Sequence, residues 1–69
     1  MTTTYEGYTT YGEMTTLIVA IDDLGNGYDK YSITRNGQRV QGGVVKSGTT
    51  MTQVKKYCKT HSIESLFIA

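Results

Sequence analysis

The strongest strand signal is a continuous apolar run within the segment MTTLIVAIDD, residues 14–23. One face of an extended strand carries Leu17, Val19 and Ile21, since successive side chains point to opposite faces. The other face carries Ile18 and Ala20, so both faces are apolar. This pattern predicts a central strand that is covered at least partly on each side.

Two more strands are predicted after the turn residues LGNG. In residues 28–35, Tyr31 and Ile33 alternate with polar residues, as in a half-buried strand. The dipeptide Asn36–Gly37 favours a type I′ hairpin turn. Residues 38–46 then run back, and Gly42–Gly43 within them indicates a bulge or a close backbone approach. The three strands are therefore predicted to form an antiparallel meander.

A helix is predicted next, because apolar residues recur at spacings of three and four. Its apolar face comprises Met51, Val54, Tyr57, Cys58 and His61. Thr50 and Gln53 fit a capping box with Thr50 as the N-cap residue. Residues 66–68 are apolar and read as a last strand.

These elements predict one small α+β domain over residues 1–69, with the order β-β-β-α-β. A right-handed crossover through the helix returns the last strand parallel to the third strand and beside the first. The predicted order is 3-2-1-4, with the helix on one face. Residues 1–13, rich in Thr and Tyr, are expected to form an arm or an additional edge strand.

Composition excludes several classes of site. The net charge is only +1, so the chain lacks the excess of basic residues that is typical of a nucleic-acid-binding module. The single cysteine and single histidine, Cys58 and His61, exclude an intramolecular disulfide and predict no metal site. No cofactor is expected. A Cys–His nucleophile pair needs an orienting group and an oxyanion hole, so no catalytic residue is predicted and the chain is expected not to be an enzyme.

The segment GGVVKSGTT, residues 42–50, comes close to a phosphate-binding P-loop. A P-loop places Lys directly after its second glycine, whereas here Thr49 follows Gly48 and Lys46 precedes it. We therefore expect a strand end, a turn and a helix start. An anion site at the start of the helix, with contacts from Lys46 and Thr49, is the alternative.

Six tyrosines in 69 residues are the most notable functional signal. Tyrosine combines a large apolar ring with a polar tip, which suits protein interfaces. The residues predicted to bind a partner are Tyr5, Tyr8, Tyr11 and Tyr28. Ordinary packing at a sheet edge and base stacking on nucleic acid are the other interpretations of these residues.

Two arginines flank the predicted hairpin turn, Arg35 and Arg39. A hairpin tip with two arginines can enter a nucleic-acid groove, as β-ribbon proteins do. A small nucleic-acid-binding protein that uses this hairpin or its sheet is therefore the second functional hypothesis. A solvated turn is the structural alternative.

The first hypothesis is a non-enzymatic protein that binds and inhibits or regulates a larger protein or nucleoprotein complex, with a homodimer as a further prediction. The chain is small and has one sheet, one helix and no set of catalytic residues. In this general format it is similar to small phage or mobile-element inhibitors. Anti-CRISPR and other anti-defence proteins are of that format. No apolar run reaches membrane-spanning length, and the N-terminal segment does not resemble a signal peptide, so a cytoplasmic location without membrane contact is expected.

Overall fold

The computed structural model describes all 69 residues as one five-stranded antiparallel sheet and one helix. The elements are β1 (Thr2–Thr9), β2 (Met14–Gly25), β3 (Tyr28–Arg35), β4 (Gln38–Lys46), α1 (Thr50–Thr60) and β5 (Ile63–Ile68). The strand order across the sheet is β4-β3-β2-β1-β5. The predicted α+β class is confirmed, as are the meander and the helix before the last strand.

The N-terminal segment is neither an arm nor an edge strand. β1 pairs antiparallel with β2 on one side and with β5 on the other. The predicted order 3-2-1-4 is therefore wrong, because β1 separates β5 from the strand of residues 14–25. The prediction failed because β1 contains no aliphatic side chain. Its place in the sheet depends on backbone hydrogen bonds along both edges and on the strand propensity of Thr and Tyr.

The helix covers one face of the sheet and leaves the other face open. Eight buried residues form the core between helix and sheet, and they are Leu17, Val19, Tyr31, Ile33, Val54, Tyr57, Cys58 and Ile63. β2 is a central strand, as predicted, but its neighbours are β3 and β1 instead of β3 and the last strand. Its second apolar face has no layer of its own, and Ile18 and Ala20 are only half-buried on the open side.

The hairpin turns follow their residue types. Asn36 and Gly37 both have positive φ, at 49° and 85°, as a type I′ turn requires. Asn36 also accepts a hydrogen bond at Oδ1 from the Thr16 amide, at 2.9 Å. The irregularity in β4 lies opposite Ile33 and Thr34, earlier than the predicted glycine pair. At Gly42 the close approach is made by the Arg39 guanidinium, which lies where a β-carbon would stand.

The helix begins one residue earlier than the predicted capping box. Thr49 is the N-cap residue, and no side chain caps the helix. The Thr49 hydroxyl instead donates to the Lys46 carbonyl oxygen at 2.6 Å. Thr50 lies in the first turn, where it is buried and its Oγ1 has no hydrogen-bond partner. No helix of the protein meets the length and apolarity needed to cross a membrane.

Candidate protein-binding surface

The open face of the sheet gathers three exposed apolar side chains at one end. We call Tyr8, Met14 and Phe67 the open-face patch. Their exposed fractions are 44%, 56% and 57%, respectively. Tyr8 and Met14 are directly paired across β1 and β2. Phe67 is paired with Glu6, two residues before Tyr8, which places its side chain diagonally next to Tyr8.

The alternation of each strand builds this patch. In β1 the positions that face the helix are more buried and the even-numbered positions are exposed, so Tyr8 points to the open side. A short turn after Thr9 brings the chain back at Met14, and the Thr9 hydroxyl accepts a hydrogen bond from the Glu13 amide at 2.9 Å. The residue opposite Tyr8 on β5 is the small Ser65, which leaves the tyrosine ring accessible.

The four tyrosines predicted to bind a partner do not form one surface. Tyr5 faces the helix, and its hydroxyl lies 3.6 Å from the Met51 sulfur. Tyr11 is 67% exposed in the turn between β1 and β2. Tyr28 pairs with Lys46 and with Gly25, and Gly25 is about 36 Å from Met14 when counted along the residues of β2. Only Tyr8 belongs to the open-face patch.

Sequence reasoning missed the other two members of the patch. Met14 stands at the start of the strongest strand pattern, and Phe67 is the only phenylalanine of the chain. Each was treated as part of a strand and not as a surface residue. The signal that joins them is the register of β1 with β2 and β5, which alternation within one strand does not reveal.

The two arginines of the β3–β4 hairpin lie on opposite faces of the sheet. Arg35 faces the helix, where Nε donates to Thr15 Oγ1 at 3.1 Å and Nη1 donates to Tyr57 Oη at 3.4 Å. Arg39 lies on the open face over Gly42. The hairpin therefore does not present both guanidinium groups to one ligand.

Arg35, Cys58 and His61 are the groups on the helix side that bear on catalysis. The hydrogen bond that Arg35 donates to the Tyr57 hydroxyl raises the pKa of the guanidinium, and burial lowers it to a lesser extent. Burial also raises the pKa of the Cys58 thiol, with Arg35 acting in the opposite direction. The thiol is therefore protonated at neutral pH and is a poor nucleophile. His61 stacks on Tyr57 with ring centroids 4.0 Å apart.

The turn that resembles a P-loop is held by a carboxylate of the protein itself. The Gly48 amide donates to Asp29 Oδ2 at 3.1 Å, and the Ser47 hydroxyl lies 3.5 Å from Asp29 Oδ1. Thr49 directs both its amide and its hydroxyl to the Lys46 carbonyl oxygen. Asp29 thus engages the Gly48 amide within this turn. No cluster of three or more His, Cys, Asp or Glu residues suited to a metal ion is formed.

Comparison with protein-family models, with curated proteins and with solved structures finds no match to this chain. Its function is therefore inferred from the chemistry of its surfaces.

Proposed function

We propose that this protein is a non-enzymatic binding module that docks on a larger protein partner through the open-face patch. The observation that carries the proposal is the adjacency of Tyr8, Met14 and Phe67 on an uncovered sheet face. Aromatic residues and methionine are enriched at protein interfaces. A cluster of such side chains that is not covered by the protein itself is suited to a partner surface.

Two observations support a role without catalysis. The Cys58 thiol is buried and its pKa is raised, which removes the only cysteine nucleophile. The hydroxyl of Tyr57 and the side chain of Arg35 are engaged with each other in the fold. We further propose that docking inhibits or regulates the partner by covering part of its surface, as small inhibitors of the anti-defence format do.

The test replaces the patch while keeping the strands. In the variant Tyr8→Thr/Met14→Thr/Phe67→Thr, each new residue retains a high strand propensity. The partner is first identified by capture with the wild-type protein and mass spectrometry, and affinity is then measured by calorimetry. Loss of three central contacts costs about 3 kcal/mol or more, so we expect binding to weaken by roughly a hundredfold.

The matched control is Tyr28→Thr/Val44→Thr, because these residues are 47% and 59% exposed on the same face at its other end. We expect the control to bind as the wild type does. Equal affinity of the patch variant and the wild type, with both folded, would contradict the proposal.

A second candidate function is the binding of nucleic acid by the β3–β4 half of the open face. Lys30, Arg39 and Lys46 are exposed on these two strands, and Tyr28 is paired with Lys46. Cations beside an aromatic ring are the elements of a single-strand binding surface. Asp22 is paired with Lys30 across β2 and β3, which offsets one of the charges.

This candidate predicts salt-sensitive binding of a fluorescein-labelled single-stranded DNA. Arg39→Ala/Lys46→Ala should weaken that binding and reduce the magnitude of its salt slope by about 1.4, since two phosphate contacts are lost and each contributes about 0.7 on a single strand. Lys56→Ala, on the exposed face of the helix, is the control and should leave the slope unchanged. Absence of any binding at low salt would exclude this function.

A further inference from the structure

A groove runs between α1 and β5 on the helix side of the sheet. Its volume is about 610 Å³, which lies within the range of ligand-binding clefts. The floor of the groove is apolar and is formed by Tyr5, Met51, Cys58, Ile63 and Leu66. The open-face patch lies on the opposite side of the sheet, so the groove is a separate surface.

The strand beside the groove is an edge of the sheet. β5 pairs with β1 only, and no strand lies beyond it. The Ala69 amide donates to the Thr4 carbonyl oxygen at 2.9 Å. Because hydrogen-bonded and non-hydrogen-bonded pairs alternate in an antiparallel ladder, the N–H and C=O groups of Leu66 and Ile68 point away from β1. They are available to another strand.

The helix side of the groove is basic. Lys55 and Lys59 line it, both exposed and one helical turn apart. Glu64 is the single acidic residue of the lining. An apolar floor beneath two cations fits a ligand that is itself both apolar and acidic.

We propose that this groove binds an extended acidic peptide segment of a partner protein, which adds to the sheet as a sixth strand beside β5. Its main chain pairs with the outward groups of Leu66 and Ile68. Side chains of the added strand that lie opposite Leu66 point to the helix side, where apolar residues fill the floor. An inward-pointing Asp or Glu pairs with Lys55 and Lys59. Strand addition to an exposed edge is an established mode of peptide recognition.

A second copy of this chain is the competing occupant, and charge disfavours it. Pairing of β5 with its own copy would follow a twofold axis, so that each surface meets itself. The added strand and the first would then carry their helices on the same side of the continuous sheet. The lysine sides of the two helices would face each other across the axis, and like charges repel. An acidic peptide instead neutralises Lys55 and Lys59.

The test begins with a phage-displayed library of random peptides of about seven residues, a typical strand length, panned on the immobilised full chain. We expect enrichment of sequences that alternate apolar and polar residues and carry an Asp or Glu on the apolar side. A selected peptide is then synthesised with a fluorophore, and its affinity is measured by fluorescence polarisation. Methylation of its alternate backbone nitrogens that face β5 should abolish binding, because strand pairing needs those N–H groups.

Variants of the protein separate this site from the open-face patch. Lys55→Glu/Lys59→Glu should weaken peptide binding by about tenfold or more, since two attractive charge pairs become repulsive. Lys56→Glu, on the solvent side of the same helix, is the matched control and should change it by less than about twofold. Tyr8→Thr/Met14→Thr alters the patch alone and should leave the peptide affinity unchanged.

Three results of the peptide experiments would overturn the inference. They are a library without acidic enrichment, peptide binding that survives methylation, and equal affinity for Lys55→Glu/Lys59→Glu and the wild type. A stable dimer in sedimentation, with the amides of Leu66 and Ile68 protected from exchange, would also overturn it by assigning the edge to a second copy. The patch experiment above is unaffected by any of these outcomes.

Discussion

Gly7 shows how one residue controls the contact between two strands. It is buried in the middle of β1, on the face towards the helix. A β-carbon at this position would lie 2.7 Å from the Ser65 carbonyl oxygen and 3.0 Å from Ile63 Cγ2. The missing side chain therefore allows β5 to approach β1 and lets Leu66 lie over the strand.

We predict that Gly7→Ala lowers the free energy of unfolding by about 1–3 kcal/mol, the usual cost of overpacking a core. The contact with Ser65 involves backbone, so relief requires the strands to shift. Urea denaturation of the wild type and the variant measures the effect. A loss below about 0.5 kcal/mol would show that the two strands separate easily.

Gly43→Ala is the matched control, because Gly43 is also a strand glycine. Its nearest neighbour to a new β-carbon is Tyr31 Cε1 at 3.6 Å, an ordinary contact. Removal of a glycine from the unfolded chain stabilises a protein by about 0.4–1 kcal/mol where the fold accepts it. We expect this variant to be as stable as the wild type or slightly more stable.

At the scale of elements, β1 is the strand on which the sheet depends. It joins the β2–β3–β4 meander to β5, and no other strand pairs with β5. Its removal would expose the edge of β2 and detach the last strand. The free energy of unfolding of a small domain is typically only about 0.1 kcal/mol per residue. The stabilisation lost with the β1–β2 and β1–β5 ladders would exceed that total.

We therefore predict that deletion of Thr2–Thr9 abolishes cooperative unfolding in thermal and urea melts. The control is Thr2→Ser/Thr4→Ser, which changes two exposed side chains of β1 and keeps its backbone pairing. This control should unfold cooperatively near the wild-type midpoint. A deletion variant with a sharp transition would mean that the strand is dispensable.

At the scale of the whole molecule, one sheet separates two surfaces of different chemistry. The open face carries the patch of Tyr8, Met14 and Phe67, and the helix side carries the groove above β5. The molecule is elongated, with extents of 41 × 19 × 18 Å. Both surfaces involve β5, but they lie on opposite faces of the sheet. A partner that covers one of them therefore leaves the other accessible.

Local patterns in the sequence determined the elements. An apolar run predicted the strand in residues 14–23, and alternation predicted the strand of residues 28–35. The turn after that strand predicted that residues 38–46 run back, and spacings of three and four predicted the helix. Asn36–Gly37 predicted its turn because positive φ at both positions favours these residues. These features depend on neighbours within a few residues, so they can be read from the chain. The amphipathic chemistry of tyrosine, and not periodicity, predicted Tyr8 as a partner-binding residue, which stays a prediction.

Only the tertiary structure decided which strands are neighbours and which side chains meet. The position of β1 rests on backbone pairing with β2 and β5, and backbone groups are the same in every sequence. The strand register brings Tyr8, Met14 and Phe67 together. A shift of one residue in the register would move the side chains of the shifted strand to the other face of the sheet. Arg35 and Arg39 lie on opposite faces because Arg35 pairs with Gln38, whereas Arg39 pairs with Thr34. Long-range pairing therefore determines the candidate sites, whereas local periodicity determines the elements that carry them.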